Sequence, residues 1–407
     1  MSRISTNTVL LVISNIGSAA LLFLLTALIG RAFGAEGLGI YALIVAWTAP
    51  VGLLVEFGLG TLITRELARD PAQTSRLLRQ AAHARLIFGS AGMVVIVLCA
   101  PLVSDDVRVV VGLQLSAPLV MLTPMFSLFT AVFRARESML PIPLLNIGMV
   151  VVQIALTLVA LMNGGGLLGI VLANVVSSAV QAAAAYAVYR RWYFTPESPG
   201  TAALGALLRQ SWPFALAALF AVLQIRLSTL LLERLTTTSD VGMYFAASRF
   251  IEAGRLIPNA FFGALFPALA GLASHPVRFR SAFRRIQLGL GGFGVAGAAA
   301  LTLTAPLLIE YAFGDGFQPA AIVLQILAWS LVAGLVRGGR TLYWYALGRE
   351  KRVNAINAAA ILLQILLSLW WVPAFGAVGA AWVQVIVEGA AFIALMAARP
   401  GARRVPA

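Results

Sequence analysis

Residues Asp240 to Leu272 read DVGMYFAASRFIEAGRLIPNAFFGALFPALAGL. The run is apolar and long enough for a membrane helix, yet Arg249, Glu252 and Arg255 stand near its middle. A charged side chain at the centre of a bilayer costs about 2.5–3.5 kcal/mol on insertion scales, so this trio belongs on a cavity or protein face rather than on lipid. Steps of three keep the charges on one arc of the helix surface. Pro258 and Pro267 further along free backbone carbonyls, which neighbouring helices or water must satisfy. The stretch predicts a kinked membrane helix with a polar face, the form expected of a transport path.

Working outward, the whole chain has the composition of a membrane protein. Of its 407 residues 60% are hydrophobic and 11% charged, where soluble domains carry about a quarter charged. The first apolar run, Thr8 to Gly30, has 23 residues without a charge, enough for a core of roughly 30 Å, and is expected to be a retained helix. Twelve spans are predicted: 8–30, 39–63, 86–104, 109–133, 142–162 and 167–189, then 213–232, 241–272, 286–308, 320–347, 354–372 and 376–397.

The net charge of +14 follows the same pattern. Of 29 Lys and Arg, 21 fall in alternate loops on one side of these spans, 3 on the other and 5 within spans. By the positive-inside rule the basic side is the cytoplasm, and an even span count puts both termini there. Topology and attraction to anionic lipid account for the excess charge, so no nucleic acid is implied. Cys99, the single cysteine, excludes an internal disulfide. The connections Thr64 to Arg85 and Arg190 to Trp212 mix basic and apolar residues, which predicts helices lying on the inner membrane surface.

The halves read as copies. Gly37-Leu38-Gly39-Ile40-Tyr41 opens the second span and Asp240-Val241-Gly242-Met243-Tyr244 the eighth, an offset of 203. Gly166-Leu167-Leu168-Gly169 and Gly376-Ala377-Val378-Gly379 open the sixth and twelfth, an offset of 210. The fold class predicted is an all-α polytopic membrane protein of about twelve transmembrane helices in two six-helix lobes, a parallel 6+6 repeat. The domains expected are an N-terminal lobe over 1–189, a cytoplasmic amphipathic linker over 190–212, a C-terminal lobe over 213–398 and a basic cytoplasmic tail over 399–407.

Several chemistries are excluded. The external connections are too short to hold a catalytic domain, and no residue is predicted to be catalytic. Lys351 is the one lysine, so there is no Walker-type phosphate loop and no ATP hydrolysis by this chain. Gly289 to Gly294, GLGGFG, matches a dinucleotide fingerprint but lies inside the ninth span, where small residues let helices approach closely. His83 and His275 lack metal-ligand spacing, and neither metal nor cofactor is expected.

The entry GLGIYALIVAW followed by GLGTLITRELAR, the stretch VGMYFAASRF…LIPNAFFGALFPALAGL, the segment IEYAFGDGFQPA leading into AIVLQILAWS, and GAVGAAWVQVIVE resemble, in order, the polysaccharide-type flippases of the multidrug/oligosaccharidyl-lipid/polysaccharide exporter superfamily. The resemblance covers essentially the whole chain. It implies a V-shaped, alternating-access transporter, not an enzyme, in the inner membrane of a bacterium. The substrate implied is undecaprenyl-pyrophosphate-linked oligosaccharide, moved from inner to outer leaflet for O-antigen, capsule or exopolysaccharide assembly. Polysaccharide polymerase and glycosyltransferases are the expected protein partners. A branch that flips the peptidoglycan lipid precursor usually carries two extra helices, and twelve spans point away from it. The alternatives are a cation-coupled drug or metabolite antiporter of the same superfamily and, from another class, a membrane polysaccharide polymerase or ligase.

A headgroup of sugar and pyrophosphate needs a wet, cationic path while its tail stays in lipid. Arg226, Arg249 and Arg255 come to similar depth by helical rise, and the planar guanidinium donates two hydrogen bonds at once to phosphate. These three and Glu252 are the expected substrate-binding residues. The competing reading is an internal ladder in which Glu252 pairs with both Arg249 and Arg255. Arg337 and Arg340, near the cytoplasmic end of the tenth span, are placed to snorkel or to gate. Glu56 and Glu388 are buried acids, candidates for proton or cation coupling or for pairing with an arginine.

Overall fold

The computed structural model describes residues 3–194, 204–272, 276–346 and 349–398. The expected basic tail 399–407, His275, and the linker residues Pro196, Pro199 and Gly200 lie outside the described residues. The helices are α1 Arg3–Glu56, α2 Leu59–Arg69, α3 Thr74–Val103, α4 Val107–Ser116, α5 Leu119–Ala135, α6 Pro141–Met162 and α7 Gly166–Trp192. They continue with α8 Leu204–Leu235, α9 Thr238–Leu272, α10 Pro276–Phe313, α11 Gln318–Ala346 and α12 Glu350–Ala397. Two short 3-10 turns complete them, and no strand occurs among the described residues.

Helix length decides the number of crossings. α1 and α12 run for 54 and 48 residues, more than twice the roughly 20 residues a bilayer crossing takes. Each is two helices joined at a glycine with non-helical dihedrals, Gly34 (φ 67°, ψ −170°) and Gly376 (φ 56°, ψ −135°). These breaks fall where external connections were expected, at 31–38 and just after 373–375. α4 and α5 form one crossing interrupted at Ala117 and Pro118. Counted this way, the described residues hold the twelve predicted crossings plus α2. Eight of the continuous helical stretches among them pass a length-and-hydropathy test for crossing a membrane, some containing two crossings.

The surface chemistry fits lipid. Leu98, Leu102, Met162 and Leu303 stand exposed, which in water would be an aggregation hazard and in a bilayer is ordinary. Thr26, Thr48, Thr64, Thr302 and Thr304 each donate their hydroxyl to the carbonyl four residues back, at 2.7–2.8 Å. Such back-bonding satisfies a polar group where lipid offers no partner.

The chain divides into two compact units, Met1–Glu233 and Arg234–Ala407. In the first, Leu59, Leu62, Ile63 and Leu67 of α2 are buried against Leu77 and Leu78 of α3 and against Leu128, Val132 and Phe133 of α5. This corrects the expectation that the connection after the second span lies on the membrane surface. The apolar face of α2 is covered by the bundle itself, leaving Arg65 and Arg69 outward. Trp47 of α1 donates to Glu233 of α8 at 2.8 Å, and the rings of Phe57 and Trp212 lie 6.0 Å apart.

The second unit is built on α11, which packs against α9, α10 and α12. Glycines permit the contact: a Cβ on Gly294 of α10 would meet Val332 Cα of α11 at 3.0 Å, and one on Gly338 would meet the Phe262 ring at 2.8 Å. Within GLGGFG, Gly294 makes the close helix approach expected of a glycine in a span, whereas Gly289 and Gly292 meet nothing within 4 Å. The internal repeat has a backbone signature as well. Gly166 and Gly376, equivalent at the offset of 210, have φ of 58° and 56°.

Candidate functional site

Each unit buries a cluster of charged side chains. In the first unit, α1 ends at Glu56 because the next two residues, Phe57 (φ 49°) and Gly58 (φ 67°), are both left-handed. Glu56 Oε1 accepts a hydrogen bond from Ser127 Oγ of α5 at 2.6 Å. Arg85 of α3 is completely buried and donates through Nη1 to the carbonyl of Pro124. Its Nε and Nη2 have no hydrogen-bond partner among the described residues. Gly60 of α2 seals the group, since a Cβ there would sit 2.8 Å from Glu56 Oε1, 3.0 Å from Ser127 Oγ and 3.9 Å from Arg85 Nη2.

In the second unit four helical segments converge on Glu388 of α12. Arg337 of α11 places Nη1 2.7 Å from Oε2, and Arg255 of α9 places Nη2 3.7 Å from Oε1. Gln384 donates to Oε1 at 3.3 Å, and Arg337 Nη2 donates to Asn357 Oδ1, on the first half of α12, at 2.8 Å. The side chains of Glu388 and Arg337 are 8% and 10% exposed, that of Arg255 32%. Two arginines and one carboxylate leave one positive charge. Buried charge is tolerated only when paired and hydrogen-bonded, so the surplus is the chemically informative feature.

The expected site residues are distributed as follows. Arg249 makes a two-pronged pair with Glu252, at 2.9 and 3.1 Å, and stacks over the Phe245 ring at 4.2 Å. Arg255 turns instead to Glu388, so the ladder of three exists only in its first rung. Arg226, half-buried on α8, belongs to the first unit, and Arg249, Glu252 and Arg255 belong to the second. Arg337 corrects its expectation: it does not snorkel to the headgroups but is buried and paired with Glu388, because its helix face points at α12. Arg340 is held over Tyr343 at 4.5 Å, near Phe283 and Trp344, and donates to the Leu395 carbonyl at 3.3 Å. That cage anchors the end of α12 to α11, with Trp344 Nε1 donating to the same carbonyl at 3.1 Å.

Arg85, Ser127, Asn357 and Gln384 were not singled out in the sequence. Arg85 was counted with a basic loop, because the uncharged run starts at Leu86. A signal was present: Arg85, Gly89 and Gly92 share a helix face by spacing of four and three, and the glycines pack on Met121 and Val120. Ser330, Gly334 and Arg337 repeat that pattern on α11.

A twelve-crossing helical bundle with charged clusters inside each unit is the build of a membrane transporter. The family model described as "Polysaccharide biosynthesis protein" matches residues 4–273, and the chain belongs to that family. Among solved structures it is similar to "Lipid II flippase MurJ, inward closed conformation", with a TM-score of 0.77 and 12% identity over 94% of this chain and 86% of that one. It is also similar to an inward-facing multidrug resistance MATE family transporter, with a TM-score of 0.76 and 14% identity over 94% and 92%. A third is a MOP superfamily transporter from Pyrococcus furiosus with a binding pocket of reverse polarity, with a TM-score of 0.62 and 15% identity over 96% and 94%. At these identities the likeness establishes the fold. The chain matches no curated protein by sequence.

Proposed function

We propose that this protein is a flippase that carries polyprenyl-pyrophosphate-linked oligosaccharide from the inner to the outer leaflet of a bacterial cytoplasmic membrane. The observation that carries the reading is the surplus of positive charge buried at Glu388, in a chain of the polysaccharide biosynthesis family. A drug-cation exporter would want the opposite sign in its interior, whereas a pyrophosphate headgroup is drawn to arginine forks. Arg255 supplies a partly exposed cation, Arg249 and Glu252 extend the polar path in the second unit, and Arg226 is a further substrate-binding cation in the first. Glu56, Arg337, Arg340 and Glu388 order that path and gate it.

The six-plus-six repeat, divided at 190–212, supplies the alternating motion. Alternating access opens the polar path first to the donor side and then to the acceptor side. An inside-negative potential drives anions outward by about 2.3 kcal/mol per charge per 100 mV, so a headgroup with two phosphate charges moves downhill without ATP. Glycan polymerases and glycosyltransferases act before and after this step on the same lipid. The glycan enters O-antigen, capsule or exopolysaccharide.

The test is leaflet translocation in proteoliposomes with a labelled polyprenyl-pyrophosphate disaccharide, under an imposed potential. Wild type should move the lipid, faster with the interior of the donor side negative, and Arg255→Ala should abolish movement at matched expression. Export of organic cations against a proton or sodium gradient, with no movement of the lipid, would transfer the protein to the antiporter class.

A further inference from the structure

Glu388 is one carboxylate shared by two arginines from two other helices. α11 contributes Arg337, α9 contributes Arg255, and α12 contributes Gln384 and, through Arg337, Asn357. Two neighbouring cations are engaged elsewhere, Arg249 by Glu252 and Arg340 by the rings of Tyr343, Phe283 and Trp344. Among the described residues, the ion pairs of this cluster set two arginines against one carboxylate.

Its two arginines are not equivalent. Arg337 grips Glu388 at 2.7 Å from a buried position, while Arg255 stands at 3.7 Å, beyond hydrogen-bond length, with 32% of its side chain exposed. The corner between them is bordered by a glycine: a Cβ on Gly334 would lie 3.5 Å from Arg255 Nη2 and 3.8 Å from Glu388 Oε2. A methyl group at Gly334 would make ordinary van der Waals contact with both. The arrangement is an anion site with an anion already in it, held closely on one side and loosely on the other.

We propose that Arg255 and Arg337 form a binding site for a phosphate-type dianion, and that Glu388 is an internal stand-in whose carboxylate the ligand displaces. A dianion matches the charge of the two guanidinium groups, which a single carboxylate cannot do, and the displaced Glu388 carboxylate takes up a proton from water so that the cluster stays neutral; phosphoryl groups are therefore preferred over carboxylates. The oxygens of a phosphoryl group also accept the paired N–H bonds of the arginine fork. Gln384 remains as a donor to the displaced carboxylate. The naming of the natural ligand as a lipid-linked pyrophosphate rests on the flippase reading above; the site itself rests on the charge count and the geometry.

The test is equilibrium binding to the full chain in lipid nanodiscs, with inorganic pyrophosphate and a polyprenyl-pyrophosphate disaccharide as separate probes. Glu388→Gln keeps the size of the side chain and removes its charge, so it should tighten binding of both probes by about tenfold. Adding Arg337→Gln should cancel the gain. A structural tie would behave oppositely: unchanged or weaker binding of both probes in Glu388→Gln overturns the proposal. If that variant folds poorly, Glu388→Asp shortens the arm and should tighten binding by a smaller factor in the same direction, and unchanged or weaker binding again overturns it. Tightening toward inorganic pyrophosphate alone, with no binding or translocation of the lipid probe by wild type, supports the site and removes the flippase reading. Translocation of the lipid by wild type, with no tightening for either probe, removes the site and leaves the flippase standing.

Discussion

In the unit Met1–Glu233 one glutamate lies beside one arginine, while in Arg234–Ala407 one glutamate answers two. Glu56 and Arg85 lie in one enclosed cluster without a direct ion pair: Ser127 donates to Glu56, Arg85 donates to the Pro124 carbonyl, and Arg85 has no exposed surface. Glu388 and Arg337 are buried similarly, but Arg255 adds a charge that is partly open. The difference separates two uses of the same chemistry. An enclosed cluster of one acid and one base, each bonded to α5, links α1 and α3 through that helix near the left-handed bend of Phe57 and Gly58. An unbalanced one keeps capacity for another anion.

The comparison can be broken by removing one partner at a time. The largest effect is expected from Arg337→Leu, which leaves Glu388 buried with only the loose Arg255, and should cost about 3–5 kcal/mol. Thermal unfolding in detergent measures it, and a loss no larger than that of an exposed arginine would show that Glu388 finds water. Next, Arg85→Ala should cost about 3 kcal/mol, through a lost partner and a cavity, without changing pyrophosphate affinity. Arg255→Gln should do the reverse, holding stability within about 1 kcal/mol and losing the affinity. If both variants shift both readouts, the division of roles fails.

The repeat offers a second comparison. Gly376→Ala should cost about 1–3 kcal/mol, because φ is positive and the new Cβ would lie 2.7 Å from Asp240 Oδ1. Gly166→Ala has the same backbone strain and no atom within 4 Å, so its cost should be the smaller of the two. Equal melting temperatures would mean that Asp240 gives way freely. Asp240 accepts from the Ala377 amide at 3.3 Å, so it is held in place where the second half of α12 begins.

The smallest effect concerns the connection before α4. Asp106 caps α4 by accepting from the Arg108 amide at 2.8 Å, and Arg108 also pairs with Glu36. Hydrogen bonds from the Arg108 side chain hold the Asp106 carboxyl below its ordinary value of 3.8. The sign follows: the folded state favours the ionised form, so this stabilisation is present above about pH 4 and is lost as pH falls through the lowered value. The pair is exposed, which limits the effect to within about 1 kcal/mol. Asp106→Asn should remove that part of the acid dependence of the melting temperature and leave the two buried clusters unaltered.

Much of this architecture was legible residue by residue. Uncharged runs marked the crossings, and the expected connections at 31–38 and 373–375 fall at or beside glycine breaks inside helices otherwise continuous in the backbone. Arg249, Glu252 and Arg255 were legible as charges that cannot face lipid, but not their partners. Arg255 and Glu388 are separated by 133 residues, and helical spacing carries no information about which helix stands opposite. Arg337 was misread because its depth was judged from the end of its span, whereas its burial depends on the face it turns toward α12. Arg85 was misplaced by a single position at a span boundary, although its spacing from Gly89 and Gly92 marked it as facing another helix.

The sequence by itself determined that this is a membrane protein of twelve crossings with its charges turned inward. Lipid acts on each helix separately, excluding charge and unsatisfied backbone wherever they occur, so its effect can be read along one dimension. Which charges meet was decided only by the tertiary structure. Pairing depends on the rotation of each helix about its axis and on how closely glycines let its neighbours approach. Those quantities are set jointly by all the contacts of a unit, and through them Glu388 came to hold two arginines while Glu56 came to face one.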